Sequence, residues 1–169
     1  AQVRKSLEPE AAARGVDPSR LVWAPLMKYE PHMARLRQAD LFLDTWPYNA
    51  HTTASDALWA GVPVLTHRGR SFASRVASSL NHALGLDGLV FDSAAEFEQA
   101  VIALASDAAQ RAQWRARLEG RRRSAVFDSE RFARDLEALY RRMAERCAAG
   151  LAPDHLPAVQ AGVTGQGAR

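Results

Sequence analysis

One cysteine, two lysines and no long apolar run are what this sequence offers where many proteins offer more. Cys147 alone cannot close an intramolecular disulfide, so a disulfide-stapled secreted scaffold is excluded. With no signal-peptide pattern and no continuous apolar span long enough to cross a bilayer, a reducing cytoplasm is the simplest expected location and no membrane partner is expected. Lys5 and Lys28 are the only lysines among 22 basic residues, so the positive charge resides on arginines, which are fixed cations rather than titratable bases. A glycine-rich phosphate loop is missing, as is a pair of carboxylates suited to general acid and base work. His67 and His82 have no companions at metal-ligand spacing, so no metal site is expected.

What remains is enough for a core. The chain has 169 residues, is 47% hydrophobic and carries a net charge of +3, which makes one mildly basic globular domain the default. Apolar runs alternate with helical stretches, the pattern of βα units in a parallel α/β sheet. Strands are expected near residues 21–24, 40–44, 62–66 and 88–91, parallel in one sheet with helices on both faces. Between them lie helical stretches: "EPHMARLRQA", "TTASDALWAG", "SFASRVASSLNHALG" and "SAAEFEQAVIALAS", with a helix before Gly15 and "DAAQRAQWRARLEGRRR" after the last strand. Ser129 is expected to cap a final long helix to about Ala149, whose apolar stripe of Phe132, Leu136, Leu139 and Tyr140 is expected to stay exposed. Residues 151–169 lack periodicity and read as a flexible tail. Nucleotide-binding sheets of this kind usually open on a strand; this chain opens on a helix and without methionine, so it is expected to be a piece of a longer protein whose first strand is missing.

The segment "PYNAHTTASDALWAGVPVLT" is the most informative. In an open parallel sheet, ligands bind beyond the carboxyl ends of the strands, and residues 44–53 leave a strand on that side to enter a helix. A helix start presents unpartnered N–H groups and the positive end of the dipole, which suits a phosphate. Thr52 and Thr53 add hydroxyl donors, His51 can donate to an oxyanion, and Asp56, one turn inside, can accept from the neighbouring hydroxyls of a ribose. The competing reading is ordinary: Thr53 with Asp56 also fits a capping arrangement, and His51 could be a loop histidine. Caps are commoner than nucleotide sites, so the residues by themselves favour the cap.

A resemblance alters that balance. "PHMARLRQADLFLDTWPYNAHTTASDALWAGVPVLTHRGRSFASRVASSL" strongly resembles the C-terminal catalytic half of the O-linked N-acetylglucosamine transferase family, related to SPINDLY. The likeness continues through "SAVFDSERFARDLEALYRRM" to "AAGLAPDH". It implies the C-terminal, Rossmann-like domain of a GT-B glycosyltransferase over residues 1–150, partial at its start. It further implies that His51, Thr52 and Thr53 meet the donor diphosphate, with His51 the catalytic residue among them, and that Asp56 meets the ribose. Met27, Lys28 and Tyr29 match the segment lining uracil and ribose; His32, Met33, Ala34 and Arg35 match a second nucleotide-contacting stretch. Family members often carry lysine where this chain has Tyr29, with Lys28 beside it, so the uracil partner is open between stacking and charge.

The function so implied is the donor-binding part of an inverting, metal-independent transferase that moves N-acetylglucosamine from UDP-GlcNAc to protein serine or threonine. No cofactor beyond the UDP-sugar substrate is implied. The implied partners are the donor, a protein acceptor, the N-terminal GT-B half and upstream helical (TPR) repeats; without that half this chain alone should not turn over. "HTTASDALW" points to UDP rather than GDP and leaves other UDP-hexoses open. The alternative is a non-catalytic nucleotide-binding or protein-interaction module. Arg121, Arg122 and Arg123 could form a nucleic-acid patch, but without interleaved aromatics they read as a solvated face or a helix-end charge complement, and no nucleic-acid partner is expected. Trp59, Trp114 and Phe97 are expected in the core, and Arg75 could either reach the cleft or pair with Asp44.

Overall fold

The computed structural model describes residues 2–157 and forms two compact units, Ala1–Arg35 and Leu36–Arg169. In the first unit, helix α1 (Gln2–Ala13) ends at Gly15, whose φ of 74° is left-handed, and a short 3-10 turn, Pro18–Arg20, follows under an Asp17 cap. The expected strand at 21–24 is not a strand. Its residues have no regular structure and join no ladder among the described residues, and Val22 is 89% exposed. Helix α2 (Tyr29–Leu36) closes this unit.

The second unit is built on a three-stranded parallel sheet in the order β1 (Phe42–Leu43), β2 (Val64–His67), β3 (Val90–Phe91). Phe42 lies opposite Val64 and Leu43 opposite Leu65; Thr66 lies opposite Val90 and His67 opposite Phe91. Parallel neighbours need long crossovers, and α3 (Thr52–Ala60) and α4 (Val76–Ala83) supply them. Together with α5 (Ala94–Ser106) they flank β2, which is buried at Val64, Leu65 and Thr66. This is a Rossmann-like α/β arrangement. The fully buried side chains are mainly aliphatic, with Leu58, Leu65, Leu86, Leu89 and Leu118 the largest. The aromatics expected there sit at its margin instead: Trp59, Trp114 and Phe97 are only half-buried. Trp59 meets Phe127 edge-on, Phe97 meets Phe91, and Trp114 lies over Gly88.

Two expected helices are interrupted. Between β2 and β3 the chain first makes a 3-10 turn, Phe72–Ser74, held by reciprocal Ser71 and Ser74 capping, and only then enters α4. After α6 (Ala108–Arg117) the arginine run forms its own 3-10 turn, Arg121–Arg123. The final helix α7 (Ser129–Ala148) is capped not by Ser129, which is its first helical residue, but by Asp128, whose carboxylate accepts from the Arg131 N–H at 2.9 Å. Its stripe remains open at Phe132 (65% exposed) and Tyr140 (58%), while Leu136 and Leu139 are half-buried and share a groove with Leu156 and Pro157. Of the tail, residues 151–157 have no regular structure; Arg142 donates to the Pro157 carbonyl at 2.7 Å and Arg146 to that of Ala152 at 2.5 Å. Residues 158–169 lie outside the described residues.

The helix that matters most for function, α3, is fixed at its far end by a Schellman motif. Gly61, at φ 86°, donates to the Leu58 carbonyl, and Val62 donates to that of Ala57 at 2.9 Å. Arg121 sits on the same end: its Nε donates to the Trp59 carbonyl at 2.8 Å and its Nη1 to that of Leu118 at 2.8 Å. Burial, with the charges of Arg122 and Arg37 adding to it, lowers the Arg121 pKa. A Cβ on Gly61 would lie 3.3 Å from Arg121 Nη2 in addition to adopting a left-handed backbone. Gly61→Ala is therefore expected to lower stability by about 1–2 kcal/mol, read as a lower midpoint with unchanged slope in urea unfolding.

Candidate functional site

β1 delivers the chain to residues 44–51 at the carboxyl end of the sheet, and that loop is built around one buried carboxylate. Asp44 is 9% exposed, and its Oδ1 accepts from the backbone N–H of Thr45 at 2.8 Å and of Ala50 at 2.6 Å. Its Oδ2 accepts from the Thr66 hydroxyl of β2 at 2.6 Å. The loop is thus drawn back onto the strand end that it left. Asn49, fully buried, adds a second fastening: its side-chain amide donates to the Thr45 carbonyl at 2.8 Å and its backbone N–H to that of Ala73 at 2.9 Å. Arg75 does not pair with Asp44; it donates to the Gly69 carbonyl at 3.3 Å.

This loop places His51 at the N-cap of α3, and no side-chain capping bond is made there. Thr52 and Thr53 are the first two helical residues and both are exposed. The capping arrangement proposed for Thr53 and Asp56 needs Thr53 at the N-cap, and it is already one residue inside the helix. The first N–H groups of α3 therefore stand at the end of a parallel strand beside two hydroxyls and an imidazole. Asp56 is half-buried in the next turn and engaged in an interaction of its own.

The His51 ring is held on three sides. Tyr48 stacks on it at 5.0 Å between centroids and 17° between planes, Phe72 meets it edge-on at 6.0 Å, and Nε2 lies 3.4 Å from the Ala73 carbonyl. A second stack in the same loop joins Trp46 to His67, with centroids 5.5 Å apart. Beyond it, the Arg68 guanidinium bonds Asp92 and holds its carboxyl below the usual carboxylate range. Sequence reasoning singled out His51 and the threonines but not Tyr48, Phe72 or the Ala73 carbonyl. Nothing in the residue pattern signals that an element 22 residues further along reaches the imidazole.

The remaining candidates belong to the first unit. Met27 and Lys28 are exposed ahead of α2, and Tyr29, exposed and engaged, is its first residue. His32 is half-buried, and its Nδ1 receives a hydrogen bond from Arg35 Nη2 at 3.0 Å. Since guanidinium can only donate, the neutral ring carries its hydrogen on Nε2. Arg35 also donates to the Pro25 carbonyl at 3.0 Å, bracing the approach to the helix. Met33 is buried and Ala34 exposed.

Against known proteins, the profile of glycosyl transferase family 41 matches residues 1–136. The chain belongs to that family. It is similar to the UDP-N-acetylglucosamine–peptide N-acetylglucosaminyltransferase of Caenorhabditis elegans, 39% identical over 144 residues, covering 85% of this chain and 12% of the relative. It also matches the probable enzyme SEC of Arabidopsis thaliana, 34% identical over 152 residues, covering 89% of this chain and 16% of that protein. The solved structure of a mutant Thermobaculum terrenum O-GlcNAc transferase superposes with a TM-score of 0.77 at 34% identity, over 87% of this chain and 29% of that one. The family 41 chain described here thus has the fold of a GT-B domain and spans a small fraction of the curated relatives' length. No described helix is long and apolar enough to cross a membrane.

Proposed function

We propose that this chain is the donor-binding part of an enzyme that transfers N-acetylglucosamine from UDP-GlcNAc to serine or threonine of proteins, with inversion and without a metal ion. One observation carries the reading: α3 begins, with no side-chain cap, at the carboxyl end of β1 behind His51, Thr52 and Thr53. A diphosphate placed there meets helix N–H groups, two hydroxyls and an imidazole. As the sugar departs, charge builds on the diphosphate oxygens, and these preoriented donors stabilise it in the role a metal ion plays elsewhere. Asp56 accepts from the ribose hydroxyls, Met27, Lys28 and Tyr29 line uracil and ribose, and His32, Met33, Ala34 and Arg35 form a second nucleotide-contacting stretch. The groups that approach the protein acceptor belong to portions of the relatives that this chain does not cover. A cytoplasmic setting suits the lone cysteine.

Calorimetry with UDP and UMP tests the proposal. UDP is expected to bind more tightly than UMP, and EDTA is expected to leave the UDP affinity unchanged. Asp56→Ala should weaken UDP by about 1–3 kcal/mol, the scale of hydrogen bonds to a charged acceptor, and Thr53→Val by about 1 kcal/mol. Equal affinities for UDP and UMP, or an Asp56→Ala variant that is folded and binds UDP as well as the parent, would sink it.

A further inference from the structure

We infer that Tyr48 and Phe72 are positioning residues that fix the His51 imidazole for the donor diphosphate. The inference rests on the reading of His51 given above and goes beyond it, because neither aromatic belongs to the cradle itself. Three observations converge. Tyr48 and Phe72 are 65% and 81% exposed, so neither is there to fill the core. Both nevertheless touch the same ring, one face to face at 5.0 Å and the other by its edge at 6.0 Å, two geometries that aromatic quadrupoles favour. The third contact orients the ring: a carbonyl can only accept, so the 3.4 Å approach to Ala73 puts a hydrogen on Nε2, and a ring that also carries one on Nδ1 can donate from there to a diphosphate oxygen.

The frame that holds these groups is itself rigid. Phe72 and Ala73 lie in a 3-10 turn closed by the Ser71 N–H to Ser74 Oγ bond at 3.1 Å and by the Gly69 N–H to Ser74 carbonyl bond at 2.8 Å. The Ala73 carbonyl that faces His51 also receives the Asn49 backbone N–H at 2.9 Å, which ties the turn to the loop bearing Tyr48. Gly69 is required for this closeness, since a Cβ there would lie 2.8 Å from that of Ser74. His51 has no capping bond to hold its side chain, so the aromatic pair and the carbonyl restrict the ring in its place. A ring already oriented loses less rotational freedom when the donor arrives.

A double-mutant cycle on the full chain tests this, with UDP as the probe and calorimetry as the readout. Tyr48→Ala and Phe72→Ala should each weaken UDP roughly three- to tenfold, the scale of ordering one side chain, while Tyr48→Phe retains the parental affinity. In a His51→Ala background, Tyr48→Ala should have no further effect, because it acts only through the imidazole. An undiminished effect in that background would mean that Tyr48 touches UDP directly, and would overturn the positioning role; so would parental affinity in Tyr48→Ala. Proton NMR of the His51 ring, assigned by its loss in His51→Ala, decides the matter independently of nucleotide. The parent should show a ring-current-displaced signal that shifts toward the free-histidine position in Tyr48→Ala, and an unmoved signal would overturn the clamp even if UDP binds. If UDP does not bind the parent, the donor reading fails and the NMR result alone judges the clamp.

Discussion

Replacing Asp44 with alanine is expected to lower the stability of the domain by about 3–5 kcal/mol, the scale of losing several bonds to a buried charged acceptor. The carboxylate is the sole acceptor described for the Ala50 N–H, the Thr66 hydroxyl and the Thr45 N–H. Alanine strands these donors where water enters poorly, and the penalty of an unmade bond exceeds the benefit of a made one. Asp44→Asn should be milder, about 1–2 kcal/mol, because its carbonyl oxygen still receives the backbone bonds and the Thr66 hydroxyl can reverse to accept from the amide. Urea unfolding followed by circular dichroism measures both. Asp44 also sets where Ala50 ends and His51 begins, so UDP affinity should fall with stability, more in the alanine variant than in the asparagine one.

Leu65→Ala should be equally damaging to stability and should leave binding alone. Leu65 is fully buried in the middle strand, flanked by α3, α4 and α5, and its carbonyl receives the Asp44 N–H at 3.0 Å. Truncation keeps that backbone bond but opens a cavity among rigid neighbours that cannot all collapse into it. A loss of about 3–5 kcal/mol is expected, the upper part of the range for buried leucine. At low temperature, where the variant remains folded, its UDP affinity should match the parent's. The pair of variants thus separates what holds the sheet together from what shapes the loop at its end.

The three strands of the sheet are readable because each is a short apolar run bounded by turn residues, although only the middle strand, β2, is buried along most of its length. "RLVWAP" has the same local appearance, and failed as a strand because pairing is not a local property. The helical stretch "TTASDALWAG" begins at Thr52 and is closed by Gly61, and α3 has those limits. The interruption at Arg75 was missed because Ser71 and Ser74 cap each other across a segment whose composition suits a continuous helix. Asp44 ends an apolar strand in the sequence, but its partners come from positions 45, 50 and 66, and that separation hides a hub from any reading of neighbours. Tyr48, Phe72 and the Ala73 carbonyl are hidden in the same way.

Arg121 gives α3 a dependence on chain far downstream. The guanidinium that closes the helix's carboxyl end comes from 62 residues after the Trp59 carbonyl it binds, across β2, α4, β3, α5 and α6. The start of the same helix is shaped by Asp44 a few positions upstream and by Thr66, Phe72 and Ala73, all of which precede α4. A fragment ending before residue 121 would keep every candidate phosphate contact and lose the anchor at the opposite end of the rod that presents them. The smallest autonomous unit able to display this helix is therefore set by the arginine run, not by the last strand of the sheet.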